Sequence, residues 1–266
     1  MKDVQNDFDS RGIALQKVGV KDVHIPLLIQ QRGGGIQQVL GRVRLSVDLP
    51  RQYKGTHMSR FLEVLMRWST EGLSSRKLRA VLAELKEKLQ AERAEIQVRF
   101  KYFLPKIAPV SGSPSVLDYD CEFAGFLEGS HFDFQLGVEL PVTSVCPCSR
   151  EISAYGAHNQ RAEIRVRCRF RPGQYLWIED LVELIEKQGS AEVYPLLKRE
   201  DEKYVTEHAF DNPKFVEDIL RDVVVALRRE SRVVWFEAEV EAYESIHNHS
   251  AFGYHVERVG GSDPTE

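Results

Sequence analysis

The most chemically loaded stretch of the chain runs from Pro141 to Arg161. It holds Cys146, Pro147 and Cys148 in a row, with His158 twelve residues after Cys146. Two thiols one residue apart rarely close an unstrained disulfide. Thiolate and imidazole are instead preferred ligands of zinc and related divalent metals. A Cys-X-Cys pair alone suits small buried residues at a turn equally well. Two further clusters add to it. Lys198-Arg199-Glu200-Asp201-Glu202-Lys203 sets three acids between basic residues, and Glu244 is soon followed by His247-Asn248-His249. Taken singly, the first reads as a solvated charge run and the second as an exposed turn. All three fall in loops or strand ends of one half of the chain, so a few of their side chains could meet on one ion. Three protein ligands plus an open position make a catalytic rather than a structural metal site.

Those loops need elements to hold them. Residues 1–21 read as an irregular arm and residues 23–30 as a short strand. Val43, Leu45, Val47 and Leu49 alternate with polar neighbours, the signature of a half-buried antiparallel strand. Apolar residues at i, i+3 and i+4 predict helices over residues 59–70 and 74–91. Alternation returns over residues 96–102, 117–123 and 132–140. The second half repeats the order: a strand over 164–170, a helix over 178–188, a helix from Asn212-Pro213 to about residue 229, and strands over 236–242 and 251–256. Asn212-Pro213 is a cap residue followed by proline at the first helical position, and residues 198–203 fall in the connection between the two helices. The pattern predicts an α+β chain of two ββααββ modules, residues 1–129 and 130–258, each an antiparallel sheet with a helix pair on one face. Residues 259–266 read as a disordered tail. Four-stranded sheets leave open edges, which favours an oligomer.

Composition narrows the functional classes. Of the 266 residues, 42% are hydrophobic and 29% charged, with a formal net charge of −4. That suits a soluble globular protein and gives no overall surface for nucleic acid. There is no apolar run long enough for a membrane span and no secretory h-region. The four cysteines are expected to be reduced, which places the protein in the cytoplasm. Gly33-Gly34-Gly35 lacks the Lys-Ser or Lys-Thr of a phosphate loop, and there is no Gly-X-Ser-X-Gly elbow.

Several motifs resemble one family, the type IB GTP cyclohydrolases of the tunnelling-fold superfamily. They are Val142-Thr143-Ser144-Val145-Cys146-Pro147-Cys148-Ser149, Gly156-Ala157-His158-Asn159-Gln160-Arg161, Leu197-Lys198-Arg199-Glu200-Asp201-Glu202-Lys203, Asn212-Pro213-Lys214-Phe215-Val216-Glu217-Asp218 and Glu244-Ser245-Ile246-His247-Asn248-His249. Val18-Gly19-Val20-Lys21 and Gly55-Thr56-His57-Met58-Ser59-Arg60-Phe61 are similar as well, so the likeness covers nearly the whole chain. The resemblance implies a bimodular tunnelling fold assembled into a homo-oligomeric barrel, a tetramer. It implies conversion of GTP and water to 7,8-dihydroneopterin triphosphate and formate, the first step toward tetrahydrofolate-type pterins. It implies a divalent metal, zinc, manganese or iron, on Cys146, His158 and Glu202, with Cys146 and His247 catalytic and Glu217 anchoring the purine edge. Glu200 is the rival to Glu202, and His249 to His247. The alternative activities are a synthase or reductase of the same superfamily acting on a pterin or purine, or a non-catalytic thiolate metal protein.

Overall fold

In a computed structural model of the chain, residue 5 and residues 7–259 are described. Of the expected tail, only Val259 falls among them. The first half of the chain holds β1 (Leu15–Gln30), β2 (Ile36–Leu49), α1 (Met58–Trp68), β3 (Gly72–Leu73), α2 (Ser75–Leu89), β4 (Arg93–Ile107) and β5 (Pro114–Glu128). The second holds β6 (His131–Val145), α3 (Pro147–Ile152), β7 (Asn159–Phe170), α4 (Ile178–Ile185), β8 (Ala191–Glu192), α5 (Arg199–Asp211), α6 (Val216–Arg229), β9 (Val233–Ala242) and β10 (Ala251–Arg258). No described helix is long and apolar enough to cross a membrane.

The chain forms two compact units, and the long strands β4, β5 and β6 divide between them. One unit takes the chain up to Lys101 with Glu122–Leu136; the other takes Tyr102–Cys121 and the chain from Gly137 onward. The expected break after residue 129 falls in the β5–β6 turn, whereas these units exchange segments across it. Strands of 15 residues are nearly three times the usual length of about 5–6, long enough to serve two cores in turn.

In the first unit the strand order is β6-β5-β4-β2-β1-β3. Phe61, Val64 and Leu65 of α1 and Leu78, Val81, Leu82 and Leu85 of α2 are buried, as are the inward positions Val43, Leu45 and Val47 of β2. β1 begins well before residue 23, correcting the expected arm. Its register against β2 shifts between Val20 and Val23, where Asp22 takes φ +60°. Such a bulge breaks the period-2 pattern that marks a strand in sequence. Gly19 is required here, because a Cβ on it would lie 1.9 Å from the Leu45 carbonyl oxygen.

In the second unit the order is β10-β9-β7-β6-β5-β4, with β8 added to β6. Antiparallel pairing sets Ile164 opposite Val240 and Val166 opposite Ala238. Ile219, Val223 and Leu227 of α6 and Leu181 and Ile185 of α4 are fully buried. The connection expected between the two helices is itself a helix, α5. Its first turn is highly charged and Asp201 and Ala209 are its buried residues, so no broad apolar stripe announced it.

Candidate active site

Cys146 stands where β6 ends. It is the N-cap of the short helix α3, with Pro147 at the first helical position and its Sγ accepting from the Ser149 N–H at 3.4 Å. Proline there is favoured because that N–H has no intrahelical partner anyway. The loop then returns. The Cys146 N–H donates to the His158 carbonyl at 3.1 Å, and the His158 N–H donates to Ser149 Oγ at 3.0 Å. Cys146 and His158 are therefore locked side by side by backbone geometry. Cys146 is half-buried and Cys148 exposed, both as free thiols.

His158 Nδ1 lies 2.9 Å from Gln160 Oε1. An amide oxygen only accepts, so Nδ1 carries the proton and the Nε2 lone pair is left for an ion. Gln160 was not singled out from sequence, yet it left a signal. It occupies the inward position of β7 before Ala162 and Ile164 and is 9% exposed, and a buried polar residue in an apolar alternation needs a partner. Gln160 also donates to Glu244 Oε1 at 3.5 Å, and Ser245 Oγ sits 3.5 Å from His158 Nδ1. These contacts draw the His247 loop to the site. His247 and His249 are both exposed and stack with ring centroids 5.2 Å apart.

Glu202 comes from α5. Val205 and Ala209 pack with Val145, Ala191 and Ala157, and Glu202, Val205 and Ala209 share one helix face at i, i+3 and i+7. Val145 and Ala157 directly precede Cys146 and His158. The face that carries Glu202 therefore packs on the residues just before the other two expected ligands. Glu200 sits about 200° away round the helix. Among the described residues no set of three His, Cys, Asp or Glu side chains is gathered closely enough to hold an ion. Packing brings the three segments together without closing the ligand set. Thiol, imidazole and carboxylate still fit a divalent transition metal by donor chemistry.

Asp201, next to Glu202, is fully buried. It accepts from the N–H groups of Val110 and Ser111 at 2.8 Å, from Ser111 Oγ at 2.6 Å and from the Lys198 N–H at 2.8 Å. Burial alone would raise its pKa, but these hydrogen bonds from Ser111, Lys198 and Val110 win and hold it well below the ordinary 3.8. A carboxyl with a depressed folded value contributes its stability above the unfolded value and loses it as pH falls through the folded one. Asp201→Ala is thus expected to lower the melting temperature by several degrees at pH 7. The difference from the parent should stay flat between pH 5 and 8 and shrink only in strong acid. Melting curves across that range check it, and a difference that vanishes near pH 5 would count against this clamp.

Glu217 lies in the first turn of α6, exposed. The approach to it is fixed to β6: the Lys214 N–H donates to the Val145 carbonyl at 3.0 Å and Ser144 Oγ to the Lys214 carbonyl at 3.0 Å. Asp218 accepts from the Phe215 N–H at 3.1 Å and caps the helix, which leaves Glu217 free for another task. The start of α6 and Cys146 thus hang from the same two residues of β6.

A family model described as type I GTP cyclohydrolase folE2 matches residues 1–253. The chain belongs to that family. Curated relatives agree over almost the full length. GTP cyclohydrolase FolE2 of Geotalea uraniireducens is 50% identical over 252 residues, covering 95% of this chain and 92% of that one. The protein of the same name from Fervidobacterium nodosum is 48% identical, covering 95% of each. Among solved structures, uricase from Arthrobacter globiformis aligns with TM-score 0.58 and 10% identity over 94% of this chain and 96% of that one. A uricase from Bacillus fastidious gives 0.56 at 9% identity, over 91% and 92%. At that identity the likeness shows the fold alone: mixed α and β around a large antiparallel sheet, with tunnelling-fold-like neighbours.

Proposed function

We infer that the place where Cys146, His158, α5 and α6 meet is the active site of a GTP cyclohydrolase. The chain converts GTP and water to 7,8-dihydroneopterin triphosphate and formate, opening guanine at C8, at the entry to folate biosynthesis. The observation that supports this placement best is the packing of Val145, Ala157, Val205 and Ala209. It joins the residues preceding Cys146 and His158 to the helix face that carries Glu202.

Cys146, His158 and Glu202 would hold zinc, manganese or iron, which supplies Lewis acidity to make water a nucleophile near neutral pH. The protein's own groups do the rest. Gln160 holds His158 Nδ1, which would leave Nε2 as the nitrogen able to bind the ion. Glu217 accepts from guanine N1–H and the 2-amino group, a bidentate match for a carboxylate. His247, with His249 stacked against it, hands a proton to the ring nitrogen or the opening ribose. GTP is the partner rather than nucleic acid.

The oligomer is a second copy problem as much as a sheet-edge one. β10 ends the strand order, and Phe252, Tyr254 and Val256 on one of its faces are 71%, 51% and 47% exposed. An apolar edge of this kind is covered when subunits pair, which supports a homotetrameric barrel. Four free thiols suit a reducing compartment such as the cytoplasm.

The test is direct. Purified protein is incubated with GTP and manganese, zinc or iron(II) in turn, and formate and the fluorescent oxidised pterin are measured. Both products in equal amounts are expected. A protein that makes neither with any of the three ions is not a cyclohydrolase. One that consumes a pterin with a nicotinamide instead belongs with the reductases.

A further inference from the structure

We propose that Lys106, far from the site in sequence, is a positioning residue for it. The inference rests on the active-site reading above. Lys106 lies on β4 and is 7% exposed. Its Nζ is 2.6 Å from Glu186 Oε2 and 2.6 Å from Glu192 Oε2, and it stands 5.0 Å from the centre of the Tyr194 ring. Tyr119 donates to Glu186 and Tyr194 to Glu192, each at 3.2 Å. One ammonium thus pins both ends of a seven-residue segment, the 3-10 turn Glu186–Gln188 with Gly189, Ser190 and β8.

The middle of that segment carries the site. Ser190 Oγ accepts from the Val145 N–H at 3.1 Å, and the Ser190 N–H donates to the Thr143 carbonyl at 2.8 Å. The Gly189 and Ser190 carbonyls each accept from Asn212 Nδ2 at 3.1 Å, and the Gln188 carbonyl accepts from Lys214 Nζ at 2.9 Å. Gly189 passes so close to β6 that a Cβ on it would lie 2.5 Å from Val142 Cβ. The same short bracket therefore fixes the residue before Cys146 and the two anchors that precede Glu217. Metal ligand and purine anchor keep their spacing because both hang from it. Two carboxylates and one ammonium make a strong clamp when buried, since removing the cation leaves like charges facing each other out of water.

The test compares Lys106→Met with Tyr102→Phe. Tyr102 sits on the same strand and donates to Glu179 at 2.8 Å, ahead of the bracket. Both proteins are checked for folding by circular dichroism. Lys106→Met is expected to lower kcat/KM for GTP by roughly 10- to 100-fold, the range for lost support around a metal site, with KM rising as Glu217 shifts. The thiolate-to-cobalt absorption of the protein titrated with Co(II) should weaken in parallel. Tyr102→Phe lowers the melting temperature but leaves KM and the cobalt spectrum at parental values. Should Lys106→Met not fold, Ser190→Ala removes the last link without stranding a charge and must raise KM and weaken the cobalt band. A folded Lys106→Met or Ser190→Ala protein with parental KM and cobalt spectrum overturns the inference. Failure of the unaltered protein to make pterin from GTP overturns the active-site reading instead.

Discussion

Replacing Cys146 with alanine is expected to remove both metal and turnover while leaving the fold in place. The Sγ makes one long contact, 3.4 Å from the Ser149 N–H, and the residue is only half-buried. The backbone bonds that shape its loop, from Cys146 to the His158 carbonyl and from Arg150 to the Cys146 carbonyl, are 3.1 Å each and survive the change. The melting temperature of the metal-free protein should therefore move little. Loss of a metal-bonding sulfur must cost more than loss of an outer partner, so kcat/KM should fall by at least about 100-fold. Cys148→Ala is the contrasting variant, since Cys148 is exposed in the first turn of α3 and takes no part in the proposed ligand set. Metal analysis of the purified proteins and steady-state assays with GTP check both. A Cys146→Ala protein that keeps stoichiometric metal and parental kcat/KM would remove Cys146 from the site.

The contrast between these cysteines shows what a sequence discloses. Residue type and spacing point to thiol and imidazole, but both cysteines look alike there. The family resemblance singles out Cys146, and the turn of α3, which makes Cys146 the N-cap and leaves Cys148 exposed, gives the physical difference between them. The second half of β2, residues 43–49, is legible because burial on one face imposes period 2 on the side chains. The start of β1 is not, because the bulge at Asp22 shifts that period. α5 was missed for a different reason. Its order comes from Asp201, whose partners Val110 and Ser111 lie 91 and 90 residues away in the β4–β5 connection. No local pattern encodes such a contact. Lys106 and Ser190 were silent as well, since they act on backbone and carboxylate groups far along the chain. The sequence thus reveals ligand chemistry and periodic elements, while the parts that hold the ligands apart or together emerge only with tertiary contacts.

The acid from α5 is where that distinction bears most on chemistry, and a pair of variants decides it. Glu200 and Glu202 both lie in the first turn of the helix and are both exposed. Each interacts with the helix dipole to a similar extent, roughly 0.3–1 kcal/mol, so Glu200→Ala and Glu202→Ala should lower the melting temperature almost equally. Their faces differ. Glu202 continues the row of Val205 and Ala209, which packs on Val145 and Ala157, and Asp201 fixes the rotation of that row by tying the first turn to Val110 and Ser111. Glu202→Ala is therefore expected to reduce metal content and to cut kcat/KM by about 100-fold or more, as for a lost ligand. Glu200→Ala should stay within roughly threefold of the parent, since a residue half a turn away cannot reach the ion without unwinding the helix. Matched melting temperatures with unequal metal content would show that the effect is chemical rather than structural. If Glu200→Ala loses the metal and Glu202→Ala keeps it, the first turn of α5 must rotate when the ion binds. The Asp201 clamp would then have to release Ser111, and protection of the Val110 and Ser111 amides from hydrogen exchange would fall on adding metal.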